Sequence, residues 1–287
     1  MKRNLLLTVL SALFISFLPL SANAQGIVIN KTNGQKVYYK ASEVESVGVY
    51  SKGEEPGPEP GESVTYTVNG VDFEMIVVEG GTFMMGSAEG GDPDERPVHE
   101  VTLDSYSIGK TEVTQELWQA VMGNNPSFYV GDQLPVDQVS WADCQVFIEK
   151  LNELTGKNFR LPTEAEWEFA ARGGNLSQGY AHSGSNVIGD VAWYADNSSE
   201  TTHVVGTKQP NELGIHDMSG NVWEWCQDFY GEYTAMSQTN PTGAPAGIYR
   251  VLRGGSFGSS DVSCRTTYRN NDVPEFTYYA LGLRLAF

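Results

Sequence analysis

The chain has 287 residues, of which 40% are hydrophobic and 11% aromatic, so it can bury a core, and a disordered chain is excluded. Asp and Glu outnumber Lys and Arg by 36 to 18, which gives a formal net charge of -18. This balance argues against a nucleic-acid partner or an anionic membrane surface, because both require basic protein surface. The 31 Gly and 13 Pro indicate many turns and little regular structure.

The first 24 residues have the pattern of a signal peptide. Lys2 and Arg3 precede a mostly apolar run over residues 5–20, and Ala22-Asn-Ala24 has the small-x-small form of a cleavage site. The run is shorter than a membrane-spanning helix requires, so no transmembrane span is expected. The pattern predicts export to a periplasm, the cell surface or the medium, with a mature chain starting near Gln25; an uncleaved anchor is the alternative.

A small β unit and a linker follow. Residues 25–50 contain apolar runs on either side of Asn33-Gly34, a strong hairpin signal, and Val44 to Tyr50 is a candidate further strand. Residues 51–63 are rich in Pro, Gly and Glu, as in an extended and solvated linker. The main domain is therefore expected to cover residues 64–287.

Three helices are predicted in the first half of the main domain. The first runs from Gln115 to Met122 with Thr114 as N-cap, and the second from Ala142 to Leu154. The third starts at Thr163, which forms a capping box with Glu166. Short strands and loops follow residue 173, so the fold class is α+β with low regular secondary structure.

Export makes disulfides possible, and the chain has three cysteines. Cys144 lies among apolar residues at helical spacing and is predicted to be a buried helix thiol. Cys226 and Cys264 both lie beside aromatic, strand-like stretches. They are either paired or packed together, or two separate buried thiols.

The most informative features of the main domain are long strings of residues. They are Phe83-Met-Met-Gly-Ser87, Glu95-Arg-Pro-Val-His99, Arg160-Leu-Pro-Thr-Glu-Ala-Glu-Trp-Glu168, Asn211-Glu-Leu-Gly-Ile-His-Asp-Met218, Gly220-Asn-Val-Trp-Glu-Trp225, Arg253-Gly-Gly-Ser256 and Gly282-Leu-Arg284. In this order and spacing they resemble the formylglycine-generating enzyme family, also called sulfatase-modifying factor domains. The resemblance covers about Met75 to Phe287 and implies a compact α+β fold related to the C-type lectin fold.

The oxidases of this family resemble one another in two Cys, five residues apart, that follow the Gly-Gly-Ser string and bind copper. Counting from Gly254 without a gap places Ser259 and Cys264 at those positions; aligning backward from Arg269 gives Cys264 a non-catalytic position. Either way a second local thiol is missing, and a hydroxyl cannot replace the soft thiolate that holds Cu(I). Copper is therefore not expected, and Cys264 is the one candidate catalytic residue.

The family resemblance also implies a calcium site. Carried over by residue, Asp217 and Glu224 would supply carboxylate oxygens, and Gly220 and Val222 would supply backbone carbonyls, which suit Ca²⁺. The alternative is that Asp217 caps a turn and Glu224 forms a buried ion pair.

Other residues of the strings are expected to be structural. Arg253, Arg269 and Arg284 are predicted to form buried or half-buried ion pairs, and Trp223 and Trp225 to lie in the core.

Small and aromatic residues separate the C-terminal strings, in a composition typical of adaptable binding surfaces. The candidate ligand-binding residues among them are Ser259, Asp261, Tyr268, Phe276, Tyr278 and Tyr279. This layout is similar to the variable proteins of diversity-generating retroelements, several of which diversify the C-terminus of a lectin-like fold. The alternative is that the aromatic rings simply pack on the domain.

These observations favour an exported, non-oxidase binding or interaction module at the cell envelope, with a protein or glycan ligand. Three alternatives stay open: a formylglycine-generating oxidase that uses Cys264, alone or with Cys226; a C-terminally diversified ligand-binding protein of a retroelement; and a structural envelope subunit of a larger complex.

Overall fold

The structure is a computed structural model. It describes residues 61–88 and 90–287 in full and, before residue 61, the backbone of five strands. The chain divides into two compact units, Met1–Pro58 and Glu59–Phe287. Among the described residues, no helix has the length and apolar character that crossing a membrane requires.

The first unit contains two small sheets. β1 and β5 pair in parallel, while β2, β3 and β4 form an antiparallel sheet in that order. The strands are β1 (Arg3–Thr8), β2 (Ile15–Leu20), β3 (Ala24–Asn30), β4 (Lys36–Lys40) and β5 (Val44–Tyr50). The β3–β4 pair confirms the hairpin expected around Asn33-Gly34, and β5 confirms the further strand. The turn itself and linker residues 51–60 lie outside the described residues. β1 and β2 fall within the predicted signal peptide, which stays a prediction.

Three sheets form the second unit, with strand orders β10-β7-β6, β12-β9-β8 and β14-β13-β11-β15. The strands are β6 (Ser63–Val68), β7 (Val71–Val78), β8 (Gly81–Met85), β9 (His99–Leu103), β10 (Tyr106–Gly109), β11 (Trp223–Phe229), β12 (Gln238–Thr239), β13 (Arg250–Arg253), β14 (Asn270–Asp272) and β15 (Leu281–Leu283). β15 pairs in parallel with β11, so the C-terminal strand lies beside the Trp-Glu-Trp string in the sheet.

The predicted helices are confirmed. They are α1 (Gln115–Met122), α2 (Trp141–Thr155) and α3 (Glu164–Ala171), and a short α4 (Ile188–Val191) follows them. The Thr114 side chain accepts a hydrogen bond from the Leu117 amide, and Thr163 and Glu166 complete the capping box of α3. The N-termini of α1 and α3 are thus specified locally, because a nearby side chain accepts a hydrogen bond from a backbone amide of the first turn.

Two hydrophobic clusters flank the sheet that contains β11. One gathers around α2, where the rings of Trp118 and Phe147 stack with centroids 4.8 Å apart. The other gathers around α3 and includes Trp167 and Cys226. Trp225 is buried in the α2 cluster, which confirms that its ring belongs to the core, whereas Trp223 is half-buried and packs against this cluster.

Buried ion pairs join α3 and β11 to the C-terminal segment, and they confirm the expectation for the three arginines. Arg253 pairs with Glu168 at 2.5 Å, and Arg269 pairs with Glu164 at 2.6 Å. Arg284 donates to Glu224 at 2.7 Å. These pairs fix the C-terminal segment, residues 253–287, at Arg253, Arg269 and Arg284. Between them, residues 258–262 and 275–279 are mostly exposed, whereas residues 254–257 and 280–283 are buried.

Candidate functional site

All three cysteines are buried and free, so Cys226 and Cys264 do not form a disulfide. Cys226 lies on β11 in the α3 cluster, whereas Cys264 ends a 3-10 turn over Val262–Cys264. Burial raises the pKa of Cys264 to about 12 and raises the pKa of Cys226 well above its usual value. Both thiols are therefore protonated near neutral pH, the form that neither attacks an electrophile nor holds a soft metal.

The backbone around Cys264 leaves little room beside its sulfur. Gly255 has a φ of +75°, and a Cβ at this residue would lie 2.7 Å from the Cys264 Sγ. The hydroxyl of Ser259 accepts from the Ser256 amide at 2.9 Å, so it is engaged within its own turn. Neither position that the ungapped count assigns to a copper ligand presents an accessible thiolate.

A continuous row of aromatic rings covers the surface beside the end of the C-terminal segment. We call Phe128, Tyr129, Phe257, Phe276, Tyr278 and Tyr279 the aromatic face. Tyr279 lies at its centre, with ring centroids 4.2 Å from Tyr278, 5.8 Å from Phe128 and 5.7 Å from Phe257.

The outer rings of the aromatic face are exposed to solvent. Tyr278 is 39% exposed, Phe276 is 38% exposed and Phe128 is 62% exposed, while Phe257 is buried beneath them. Large aromatic groups that touch one another and still face water form an apolar patch of the kind that marks interaction sites.

The other predicted ligand-binding residues lie at different distances from this face. Ser259 is half-buried, and its carbonyl accepts from the Ala195 amide. Asp261 is exposed and its carboxylate accepts from the Val262 amide. Tyr268 packs against Trp223, with centroids 6.0 Å apart, and among the described residues no ring contact joins it to the aromatic face. The structure thus brings Phe276, Tyr278 and Tyr279 together and places Tyr268 elsewhere.

Sequence reasoning missed Phe128 and Tyr129, which come from the loop between α1 and α2. The Tyr129 hydroxyl donates to the Glu200 carbonyl at 2.7 Å, and its ring contacts Phe257. A signal was present, because an aromatic pair in a loop rich in Asn, Pro, Ser and Gly has no helical or strand periodicity that would bury it. Only the fold, however, shows that these rings meet Phe257 and Tyr279, far along the chain.

Asp137 and Gln138 support the aromatic face from behind. The Phe128 amide donates to Asp137 Oδ1 at 2.8 Å, and the Gln138 amide donates to the Tyr278 carbonyl at 3.0 Å. Asp137 is fully buried, and burial raises its pKa to about 6. Gln138 has a φ of +61°, a conformation uncommon for a residue with a side chain and enriched at functional sites.

The predicted calcium residues lie in a buried carboxylate cluster. Both oxygens of Glu224 accept from Arg284, and one also accepts from the Trp167 indole at 2.7 Å. Asp217 Oδ2 accepts from the Gly206 amide, whereas its Oδ1 is buried without a hydrogen-bond partner.

A third carboxylate, Glu112, joins this cluster. It accepts from the Val222 amide and the Asn221 side chain. Burial, then the charges of Asp217 and Glu224, raise its pKa well above the usual value. Three buried carboxylates facing one guanidinium favour a proton on the cluster. Within the described part of the chain, no group of three or more His, Cys, Asp or Glu side chains is arranged to hold a metal ion. Of the predicted calcium ligands, Asp217 has a buried oxygen without a hydrogen-bond partner, whereas Glu224 would have to share its oxygens with Arg284.

The fold, its strings and its buried ion pairs define a sulfatase-modifying-factor-like domain. A family model described as "Sulfatase-modifying factor enzyme 1-like domain" matches residues 64–287, so the chain belongs to this family and the resemblance seen in the sequence is confirmed.

Several known proteins are similar to the chain. It is 34% identical to the chaperone protein LppX of Paenibacillus barcinonensis, over 69% of this chain and 83% of that protein. It is 32% identical to the formylglycine-generating enzyme of Streptomyces coelicolor, over 74% of this chain and 88% of that enzyme. It spans 38% of the length of the serine/threonine-protein kinase pkn1 of Chlamydia pneumoniae, at 34% identity over 78% of this chain. The solved structure of Treponema denticola variable protein 1 matches with a TM-score of 0.74 and 35% identity, covering 78% of this chain and 98% of that one. These relatives carry names of different activities. Membership of the family therefore establishes the fold, and the function has to be argued from the residues of the site.

Proposed function

We propose that this protein is a non-oxidase binding module that captures a ligand on the aromatic face. The observation that carries the proposal is the row of exposed, mutually touching rings at Phe128, Phe276, Tyr278 and Tyr279. Rigid aromatic side chains give large contact area at low entropic cost, as in other binding surfaces. The similarity to a solved variable protein supports the same assignment.

The thiol environment argues against the oxidase alternative. An oxidase of this family needs two accessible soft thiolates, whereas Cys226 and Cys264 are buried, free and shifted toward the protonated form. The test is a Cu(I) titration against a competing chelator, alongside thiol labelling in native and denaturing buffer. We expect weak copper binding and slow native labelling. Stoichiometric Cu(I) binding that Cys264→Ser abolishes would establish the oxidase reading instead.

Ligand capture is tested by alanine substitution on the face. Tyr278→Ala and Tyr279→Ala should each weaken capture at least several-fold, because truncating a central aromatic contact typically costs more than 1 kcal/mol. Tyr249→Ala is the matched control, since Tyr249 is 45% exposed but lies outside the aromatic face. Equal capture by all three variants would exclude this face as the binding site.

We propose further that the segment from Ser256 to Tyr279 is the diversified part of a retroelement variable protein. The buried ion pairs of Arg253 and Arg269 and the mostly exposed stretches 258–262 and 275–279 suit a constant framework that carries a changeable surface. Sequencing this gene in many isolates tests the idea. Substitutions concentrated at Ser259, Asp261, Phe276, Tyr278 and Tyr279 would support it, and an even spread along the domain would contradict it.

Export to the cell envelope is proposed from the N-terminal pattern. The basic start, apolar run and small residues at positions 22 and 24 support it. Cell fractionation with N-terminal sequencing should find the protein outside the cytoplasm, starting near Gln25. A cytoplasmic protein that retains Lys2 and Arg3 would refute the assignment.

Calcium is proposed as the family-implied ion at Asp217, Gly220, Val222 and Glu224. The free Oδ1 of Asp217 and the excess of buried carboxylates support a cation here. Bound calcium would supply positive charge that holds this loop together, a stabilising role rather than a chemical one.

A further inference from the structure

Four separate segments meet at the aromatic face. Tyr129, in the loop after α1, contacts two of the other segments. Its ring centroid lies 6.4 Å from that of Tyr279, and its hydroxyl donates to the Glu200 carbonyl. A third contact runs from the Ala195 amide to the Ser259 carbonyl at 3.0 Å. The segments are 124–138, 194–200, 256–261 and 272–279.

These four segments are acidic without exception. They contain no Lys or Arg. Their carboxylates are Asp132, Asp137, Asp196, Glu200, Asp261, Asp272 and Glu275. Asp137 is buried beneath the face, while Glu200, Asp261 and Glu275 are among those that reach solvent.

The three arginines closest to these segments in sequence do not neutralise them. Arg253 pairs with Glu168. Arg265 pairs with Glu95 through both terminal nitrogens, and Arg269 pairs with Glu164. Their charge is balanced within the domain. The rim of the aromatic face is therefore negative, with no free guanidinium or ammonium among its own segments.

Exposed rings with a negative rim are complementary to cationic side chains. The faces of aromatic rings attract Lys and Arg, and nearby carboxylates steer and hold the same groups. The row from Phe276 through Tyr278 and Tyr279 to Phe128 offers four rings in succession, so it can engage several residues of an extended ligand. This extent fits a polypeptide better than a single small cation.

The loop after α1 is a fixed part of this surface. Asp137 accepts from the Phe128 amide, and the Asp137 amide donates to the Ser127 hydroxyl at 3.1 Å. The same stretch binds the C-terminal segment through Gln138 and Tyr278. Phe128 is thus held in place beside Tyr279, although it lies outside the C-terminal segment.

We propose that the ligand of the aromatic face is a Lys- and Arg-rich polypeptide segment, and that Phe128 contacts it together with Tyr278 and Tyr279. This inference rests on the proposed binding function and adds to it the chemical class of the ligand. It also predicts that binding depends on a residue that C-terminal diversification would leave untouched.

The experiment applies the whole protein to three kinds of fluorescent probe: a Lys/Arg-rich decapeptide, the same peptide with Gln in place of each base, and neutral oligosaccharides. Binding is followed by anisotropy at low and at moderate salt. Variants Phe128→Ala, Tyr279→Ala and the charge pair Glu200→Gln/Glu275→Gln are compared with wild type. Tyr249→Ala and Glu149→Gln/Glu153→Gln are the matched controls, and thermal unfolding confirms that each variant folds.

We expect the basic peptide alone to bind, with an affinity that falls steeply as salt rises. Phe128→Ala and Tyr279→Ala should each lower the affinity for the basic peptide at least fivefold. The double variant Glu200→Gln/Glu275→Gln should lower it about threefold or more, while both controls bind as wild type does. If the Gln peptide or an oligosaccharide binds through Tyr279 and the basic peptide does not, the ligand class is wrong and the binding function stands. If Tyr279→Ala leaves the binding of every probe unchanged, the whole proposal is overturned. If Tyr279→Ala weakens binding of the basic peptide but Phe128→Ala does not, the role of Phe128 is overturned.

Discussion

Arg284→Met tests whether the buried ion pairs hold the C-terminal strand in the sheet. The Arg284 guanidinium is fully buried and donates to both oxygens of Glu224. It also donates to the carbonyls of Gly109 at 2.8 Å and His216 at 2.9 Å, which joins β15 to β10 and to the loop before β11. Methionine fills a similar volume and removes every one of these donors.

The expected loss in the free energy of unfolding follows from the buried charge of Glu224, which remains after the substitution. Breaking a buried pair costs about 3–5 kcal/mol, because the remaining charge is left uncompensated. Here Glu224 would remain beside Glu112 and Asp217, two further buried carboxylates, and the carbonyls of buried Gly109 and half-buried His216 would lose a donor. We therefore expect a loss near the upper end of that range, about 5 kcal/mol, which is a large part of the stability of an ordinary domain.

The assay is urea unfolding followed by tryptophan fluorescence. Lys110→Met is the control, since Lys110 and its partner Glu74 are each more than a third exposed, and such a pair is worth about 0–1 kcal/mol. The double variant Arg284→Met/Glu224→Gln should be more stable than Arg284→Met alone, because the uncompensated charge is gone. If Arg284→Met loses less than about 1 kcal/mol, or the double variant is no better than the single, the ion-pair argument fails.

Three further predictions concern titrating and metal-binding groups. Calcium should raise the melting temperature of the wild type, reversibly on chelation, and Asp217→Ala should remove the effect; an unchanged wild-type melting temperature at saturating calcium would contradict the site. Burial and the neighbouring Glu164 raise the pKa of Asp228 to about 8, so the folded state keeps a proton that the unfolded chain has already released, and stability should fall as pH rises from about 4 to 8. Asp228→Asn should flatten that fall in thermal scans, and an unchanged slope would argue that Asp228 is ionised in the folded protein. Because the pKa of Asp137 is about 6, affinity for the basic peptide should rise between pH 5 and 7 as the carboxylate ionises, and Asp137→Asn should abolish that rise in anisotropy titrations.

Locally determined features could be predicted from the sequence. The starts of α1 and α3 were predictable, because Thr114 and Thr163 cap amides only three residues away. The burial of Cys144 was predictable from helical spacing alone. The need of three arginines for ion pairs was also predictable, because an isolated charge is too costly to bury.

Features that depend on distant contacts could not be predicted. Glu168 pairs with Arg253 and Glu164 with Arg269, which lie 85 and 105 positions further along the chain, and no local pattern links residues so far apart. The aromatic face could not be predicted for the same reason. Periodicity indicates which side of one helix or strand is buried, but it does not indicate which loops lie close together in the fold. Phe128 was therefore invisible as a partner of Tyr279 until the fold placed them 5.8 Å apart.

The separation between framework and face has a physical consequence for how this surface can change. The residues that fix the C-terminal segment are buried arginines paired with carboxylates of α3 and β11, whereas Phe276, Tyr278 and Tyr279 are more than a third exposed. Substitutions at half-exposed rings alter stability little, because most of the stability of the fold comes from buried contacts. The same domain can therefore carry many different faces at nearly constant stability, while the part of the negative rim at Asp132, Asp196 and Glu200 lies outside the C-terminal segment and stays constant. A face whose aromatic residues were exchanged for small polar ones should fold as before and still favour basic ligands, only more weakly.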